Sequence, residues 1–134
     1  MHSTIVFQKD TPEINQINTV MEDFRKSKAW MNSRLLICDI YDITKDLPDD
    51  DSRFKNQIRK LAVLISGNIV KSLQEKNPDL RGQFANNAES SMNKLNTLIQ
   101  AAHKKGYLQK SKNPNLFAEI RRSLRGIQHQ SDSR

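Results

Sequence analysis

The densest group of reactive side chains lies near the C-terminus, in Ala118-Glu119-Ile120-Arg121-Arg122-Ser123-Leu124-Arg125-Gly126. In a helix, Arg121 and Arg125 stand four residues apart, and Arg122 and Arg125 three apart. All three then share one face beside an apolar stripe of Phe117, Ile120 and Leu124. Lys104, Lys105, Lys110 and Lys112 surround the preceding turn, and Arg81 and Lys94 add charge to the helix before it. Guanidinium forks grip phosphate oxygens in pairs, whereas lysines act as movable point charges. Lys94, Lys104, Lys105, Lys110, Lys112, Arg121, Arg122 and Arg125 are therefore the expected nucleic-acid-binding residues, engaging RNA or DNA through phosphates. Such binding is salt-sensitive and largely indifferent to sequence. The alternative is an ordinary solvated face. Trp30, Tyr41 and Tyr107 fall at expected core or turn positions away from these residues, so base stacking is not expected.

Other chemistry is sparse. His2, His103 and His129 lie far apart, with no metal-binding spacing and no Glu-x-x-His pair. There is no Gly-rich phosphate loop and no CxxC, HExxH or GxSxG motif. Asp49-Asp50-Asp51 lacks the spaced oxygen ligands and the glycine of a calcium loop. Cys38, the only cysteine, sits in the apolar run LLICDIY and reads as a small core residue. We expect no catalytic residue, metal or cofactor, and no enzymatic activity.

The formal net charge of +7 is unevenly placed. Residues 1–80 hold 12 Lys/Arg and 12 Asp/Glu, whereas residues 81–134 hold 10 Lys/Arg and 3 Asp/Glu, so the whole excess lies in the second segment. That asymmetry favours a polyanionic partner. With one cysteine, no visible signal peptide and no run near ~18 apolar residues, a cytoplasmic location away from membranes is expected.

Several elements must position the basic residues. Thr11-Pro12-Glu13 is a helix start, and Ile14, Ile17, Met21 and Phe24 follow at helical spacing. This helix ends near Ser27 or continues into the next, since no Gly or Pro separates them. Over Trp30–Leu47 one face carries Met31, Leu35, Cys38 and Tyr41 and another Leu36, Ile40, Ile43 and Leu47, which implies two neighbours. Pro48 ends that helix, and Ser52 is the expected cap of the next. Asn77-Pro78 starts a third helix, with Leu80, Phe84, Ala88, Met92 or Ser91, Leu95, Ile99 and Ala102 as its stripe. Lys104-Lys105-Gly106 ends it, with Gly at C′. Asn113-Pro114 starts the last, lined by Phe117, Ile120, Leu124 and Ile127. The fold class is all-α: an up-down antiparallel four-helix bundle over residues 11–128, with room for an extra N-terminal helix. Residues 1–10 and 129–134 read as tails.

The stretch Asn56–Leu73 is over-apolar for one buried face. Ile58, Leu61, Ala62, Ile65, Ile69 and Leu73 form a stripe, while Val63, Leu64 and Val70 lie off it. Gly67 weakens the helix by roughly 1 kcal/mol relative to Ala unless a close crossing needs it. Leu64, Gly67 and Val70, with Leu36 and Ile40, are the expected contacts to a neighbouring protomer in a homo-oligomer.

Trp30, Ile40-Tyr41-Asp42-Ile43-Thr44, Leu47-Pro48, Gln57-Ile58-Arg59-Lys60-Leu61-Ala62-Val63, Asn68-Ile69 and Gly106-Tyr107-Leu108 carry a family likeness. In order and spacing they resemble the four-helix-bundle proteins encoded in intervening sequences of bacterial large-subunit ribosomal RNA genes. The likeness runs from about Trp30 to Ile127. Asn93-Lys94-Leu95, Leu98-Ile99-Gln100-Ala101-Ala102-His103-Lys104-Lys105-Gly106-Tyr107-Leu108 and the Ala118–Gly126 run are similar to a sister family. That family is the accessory variability determinant proteins of diversity-generating retroelements. Both resemblances imply a four-helix bundle and a ring-shaped homopentamer. The second also implies a reverse transcriptase and its template RNA as partners. The departures are Ser66-Gly67 where the first family has Pro-Ser, Val70-Lys71-Ser72 where it has Ala-Glu-Gly, and Lys94 and Asn96 at its acidic positions.

Overall fold

The computed structural model describes residues 12–48 and 52–132. They form four long helices: α1 (Pro12–Ile43), α2 (Ser52–Gln74), α3 (Pro78–Lys104) and α4 (Leu116–Asp132). α2 packs most extensively on α3, α1 packs on α2, α3 on α4, and α1 on α4 closes the cycle. Short connections make each neighbour antiparallel, so this is an up-down four-helix bundle.

The extra N-terminal turns are helical and continuous with α1, as a sequence without a breaker around Ser27 permits. Thr11, the expected cap, and Asp49-Asp50-Asp51 lie outside the described residues. α1 ends at Ile43, before Pro48 is reached. Thr44 Oγ1 turns back onto the Ile40 carbonyl at 2.6 Å, and Leu47 N–H bonds the Thr44 carbonyl in a tighter turn. Asn77 caps α3: its side-chain oxygen accepts from the N–H groups of Asp79 (2.9 Å) and Leu80 (3.3 Å), with Pro78 at the first helical position. α3 ends in a Schellman turn. Gly106 takes φ +75°, its N–H reaches His103 O, and Tyr107 N–H reaches Ala102 O. α4 starts later than Asn113-Pro114 suggests. Those residues form a turn, Leu116 N–H to Asn113 O, and the Asn115 carbonyl takes the bond from Glu119 N–H. α4 also runs on to Asp132, past Gln128.

The core is aliphatic: Leu36, Ile40 and Ile43 from α1, Ile58, Ala62, Ile65 and Ile69 from α2, Ala85, Ala88, Met92 and Leu95 from α3, and Leu116, Ile120 and Leu124 from α4. Each large side chain so buried stabilises the fold by about 1.5–3 kcal/mol relative to exposure. Leu36 and Ile40, expected at a protomer interface, are 1% exposed inside this core, so they cannot meet a neighbouring copy. The exposed α1 face is the other one, carrying Met31, Leu35, Cys38 and Tyr41. Cys38 is thus a surface thiol. On α3 the first turns face inward through Gly82 and Ala85, while Leu80 is exposed and Phe84 half-buried. The small side chains let the helices close up, and Ser72 of α2 donates to the Arg81 carbonyl at 3.0 Å. Gly67 is exposed and a Cβ there would meet nothing, so no close crossing inside the protomer explains it.

Candidate nucleic-acid interface

The inward stripe of Leu116, Ile120, Leu124 and Ile127 fixes the roll of α4 and turns its arginines outward. Arg122 and Arg125 are exposed, with no ion-pair partner among the described residues. Arg121, half-buried on the α3 flank, gives one guanidinium N–H to Asn93 Oδ1 at 3.0 Å. Further along this seam, Gln128 Nε2 donates to Asn86 Oδ1 (2.7 Å) and Glu89 Oε1 (3.0 Å). These polar contacts lock the face carrying the arginines. Arg121 acts in that lock, with part of its fork still available, while Arg122 and Arg125 project into solvent.

At the end of the bundle where α3 gives way to α4, Lys104, Lys105 and Lys110 are exposed. The Schellman turn fixes where the chain leaves α3. The rest of the loop is tied to the C-terminal end of α1. Gln109 N–H reaches the Ile43 carbonyl at 3.1 Å, and the Gln109 side chain donates to Asp46. Ser111 Oγ donates to Asp39 Oδ2 at 2.9 Å, and Asn113 Nδ2 to Asp39 Oδ1 at 3.4 Å. Lys112 Nζ lies 3.8 Å from Asp42 Oδ2, and Lys45 shares that carboxylate at 3.6 Å. Lys112 is therefore partly neutralised. Sequence reasoning missed this, because the acids that meet the basic loop sit some seventy residues earlier in the chain.

Lys94 does not join the α4 face. It lines a groove of about 490 Å³ between α2 and α3, with Lys60 and the apolar side chains of Leu61, Leu64 and Leu98. Its neighbour Asn93 faces α4, and one residue along a helix turns the side chain by about 100°. Arg81 is half-buried, with its Nε buried and unpartnered among the described residues. The open basic surface is thus Arg122 and Arg125, the free part of Arg121, and Lys104, Lys105 and Lys110.

The aromatic residues correct another expectation. Trp30 and Tyr41 are surface residues, 44% and 45% exposed, and Tyr107 is 37% exposed. The Arg34 guanidinium stands 4.9 Å from the Trp30 ring centroid, and Arg59 stands 4.3 Å from that of Tyr41. Arg59 also donates to Thr44 Oγ1 (3.0 Å) and the Tyr41 carbonyl (3.3 Å). Cationic groups thus already occupy both rings. Trp30 followed by Arg34 is an i,i+4 pair and was visible in the sequence; Tyr41–Arg59 joins two helices and was not.

Of the expected interface residues, Leu64 is 45% exposed, Gly67 is exposed and Val70 is half-exposed, beside Val63 at 49%. Among the described residues no cluster of three His, Cys, Asp or Glu side chains could hold a metal ion, and no helix is long and apolar enough to cross a membrane. A model of the family described as 23S rRNA-intervening sequence protein matches residues 25–129. No curated protein matches the chain.

Proposed function

Because the chain belongs to the 23S rRNA-intervening sequence protein family, we propose that it is a non-enzymatic, homo-oligomeric bundle that binds RNA phosphates through its basic surface. The observation that carries this reading is the outward pair Arg122 and Arg125, held on a locked helix that follows the turn carrying the exposed Lys104, Lys105 and Lys110. One such face is modest. Several copies in a ring, five in this reading, repeat it and raise affinity by multivalency alone. Leu64, Gly67 and Val70 support ring closure as surface contacts on α2. A cytoplasmic location goes with an RNA partner, and DNA phosphates offer the same contacts less selectively.

A finer reading names the RNA's context. The last two helices resemble accessory variability determinant proteins, and Lys94 and Asn96 replace acids of the ribosomal-RNA insertion proteins. On that reading the bundle holds a reverse transcriptase and its template RNA together during mutagenic complementary-DNA synthesis.

The test is fluorescence anisotropy with a labelled single-stranded RNA, using the Arg122→Glu/Arg125→Glu protein. We expect at least tenfold weaker binding, with oligomer mass unchanged by light scattering. Unchanged binding at moderate salt overturns the basic-face reading. Tagged protein purified from its native host separates the finer reading from the coarser: a co-purifying reverse transcriptase supports the retroelement role, and RNA without that enzyme removes it.

A further inference from the structure

α1 is much longer than the helices it packs against. Ser66 Oγ donates to Ser33 Oγ at 3.2 Å, which sets the α1–α2 register. Counting eight residues outward from each serine brings Gln74, the end of α2, level with Arg25. The contacts Ser72–Arg81, Asn93–Arg121 and Asn86–Gln128 carry the same count across α3 and α4. They bring Asp132, the end of α4, level with Gly82 of α3 and so with about Lys28 of α1. Residues 12–24 therefore overhang the bundle by about 20 Å. The family match begins at residue 25, where the overhang ends.

The overhang has its own pattern. Ile14, Ile17, Met21, Phe24, Lys28, Met31, Leu35 and Cys38 recur at alternating spacings of three and four. These are the a and d positions of about three and a half heptads, the mark of a coiled-coil seam. Of these, Ile17, Lys28, Met31, Leu35 and Cys38 are exposed, Ile17 by 59% and Met31 by 54%. The bundle-facing positions behave differently. Within the bundle they hold Ala29, Ser33, Leu36 and Ile40, all buried. The same helical positions in the overhang are Asn15, Asn18, Thr19 and Glu22. Where α1 leaves the bundle, its inward face turns polar while its outward stripe stays apolar. The stripe is maintained for something other than the protomer core.

We propose that this stripe is an antiparallel coiled-coil seam with the α1 helix of a second copy of the chain. Pairing about residue 26 places Ile14 opposite Cys38 of the second copy, Ile17 opposite Leu35, Met21 opposite Met31 and Phe24 opposite Lys28. Every a position then meets a d position. Each overhang covers the exposed half of the other copy's stripe, which neither bundle covers itself. Parallel pairing would stack Lys28 on Lys28, whereas the antiparallel register sets that ammonium against an aromatic ring. The contact is two-fold and leaves Leu64 and Gly67 of α2 for ring closure. It does not depend on the RNA-binding reading.

Cys38 makes the register measurable, because it is the only cysteine. In the antiparallel seam the two Cys38 residues lie about 36 Å apart, far beyond disulfide reach. Residues 14 and 38 of one helix are equally far apart, so a bond between them joins two chains. The full-length Ile14→Cys protein is oxidised mildly beside the native protein. We expect a shift on non-reducing electrophoresis from the 15.5 kDa chain to twice that mass, with residues 14 and 38 joined in a disulfide-linked peptide. The shift is lost in Ile14→Cys/Cys38→Ser and absent from the native protein. No such peptide in the Ile14→Cys protein overturns the seam, as does a Cys38–Cys38 bond in the native protein, which reports the parallel register. Position 14 lies in the overhang, so the bundle's fold, read by circular dichroism, is unchanged.

Discussion

The α1–α2 half and the α3–α4 half share one core but present opposite surfaces. α1 and α2 expose Met31, Leu35, Tyr41, Val63 and Leu64, whereas α4 and the turn before it expose Arg122, Arg125, Lys104, Lys105 and Lys110. The charge distribution agrees, since all of the net +7 lies in residues 81–134. Exposed aliphatic side chains in a row are retained where another surface covers them. Unpaired arginines on a locked helix are retained where anions arrive. One half of the bundle suits assembly and the other a polyanion.

The sharpest way to break this division uses two adjacent leucines. Leu36 is 1% exposed and Leu35 is 42% exposed. Leu36→Ala removes core volume from the protomer, and chemical denaturation should show a loss of about 2–5 kcal/mol. Leu35→Ala should leave protomer stability almost unchanged but weaken self-association, read as a mass shift by sedimentation. If Leu35→Ala destabilises the isolated protomer as much as Leu36→Ala, the outer stripe belongs to the fold and not to assembly.

The sequence showed these two faces without showing which was inner. Met31, Leu35, Cys38 and Tyr41 recur at helical spacings of three and four, as do Leu36, Ile40, Ile43 and Leu47, and periodicity alone carries no sign. The sign comes from α2 and α4, which dock on the Leu36 face. Helix number, the Asn77 cap and the Gly106 terminus were legible because each is written in two to four consecutive residues. The inward turn of Gly82 and Ala85 over Leu80 and Phe84 was not, because close helix approach favours small residues over large apolar ones. For the basic site, the α4 arginines were legible from local spacing. The separation of Lys94 from them needs the roll of α3, and the neutralisation of Lys112 needs a contact between distant parts of the chain.

The second test sharpens the polyanion half by setting Arg122→Gln/Arg125→Gln against Lys94→Gln. Removing one cation that neutralises a phosphate of a single strand should flatten the slope of log affinity against log salt by about 0.7. The arginine pair should lower it by about 1.4, twice the value for one cation, and weaken binding roughly tenfold, about 1.4 kcal/mol. Lys94→Gln, in the α2–α3 groove, should leave the slope within error. A Lys94 effect equal to that of the arginines would move the RNA path onto α2 and α3.

A third test concerns the join between the two helices of the α1–α2 half. Arg59 links α2 to the end of α1 through Thr44, the Tyr41 carbonyl and the Tyr41 ring. Arg59→Ala should cost about 1 kcal/mol, the order expected for an exposed cation–π contact once water takes over most of the two partly exposed hydrogen bonds. RNA binding at fixed salt should hardly change, because this guanidinium is already engaged. Strongly weakened RNA binding would show that the aromatic and arginine pairs of α1 and α2 also meet nucleic acid, and the division by halves would fail.

The smallest effect is the most discriminating. Lys112 belongs by sequence to the basic cluster, but it stands 3.8 Å from Asp42 and is largely exposed. A solvent-exposed pair of this kind contributes about 0.2–1 kcal/mol to stability, so Lys112→Ala should barely shift the unfolding midpoint. Its effect on RNA affinity should be smaller than that of either α4 arginine, because Asp42 competes with phosphate for the ammonium. Asp42→Asn reverses the sign: it frees Lys112 and Lys45, raises the net charge by one, and should tighten RNA binding slightly at low salt, with the gain fading as salt rises. If Lys112→Ala weakens binding as much as Arg125→Gln, or Asp42→Asn weakens it, the α3–α4 loop is the principal contact and the α4 face a flank to it.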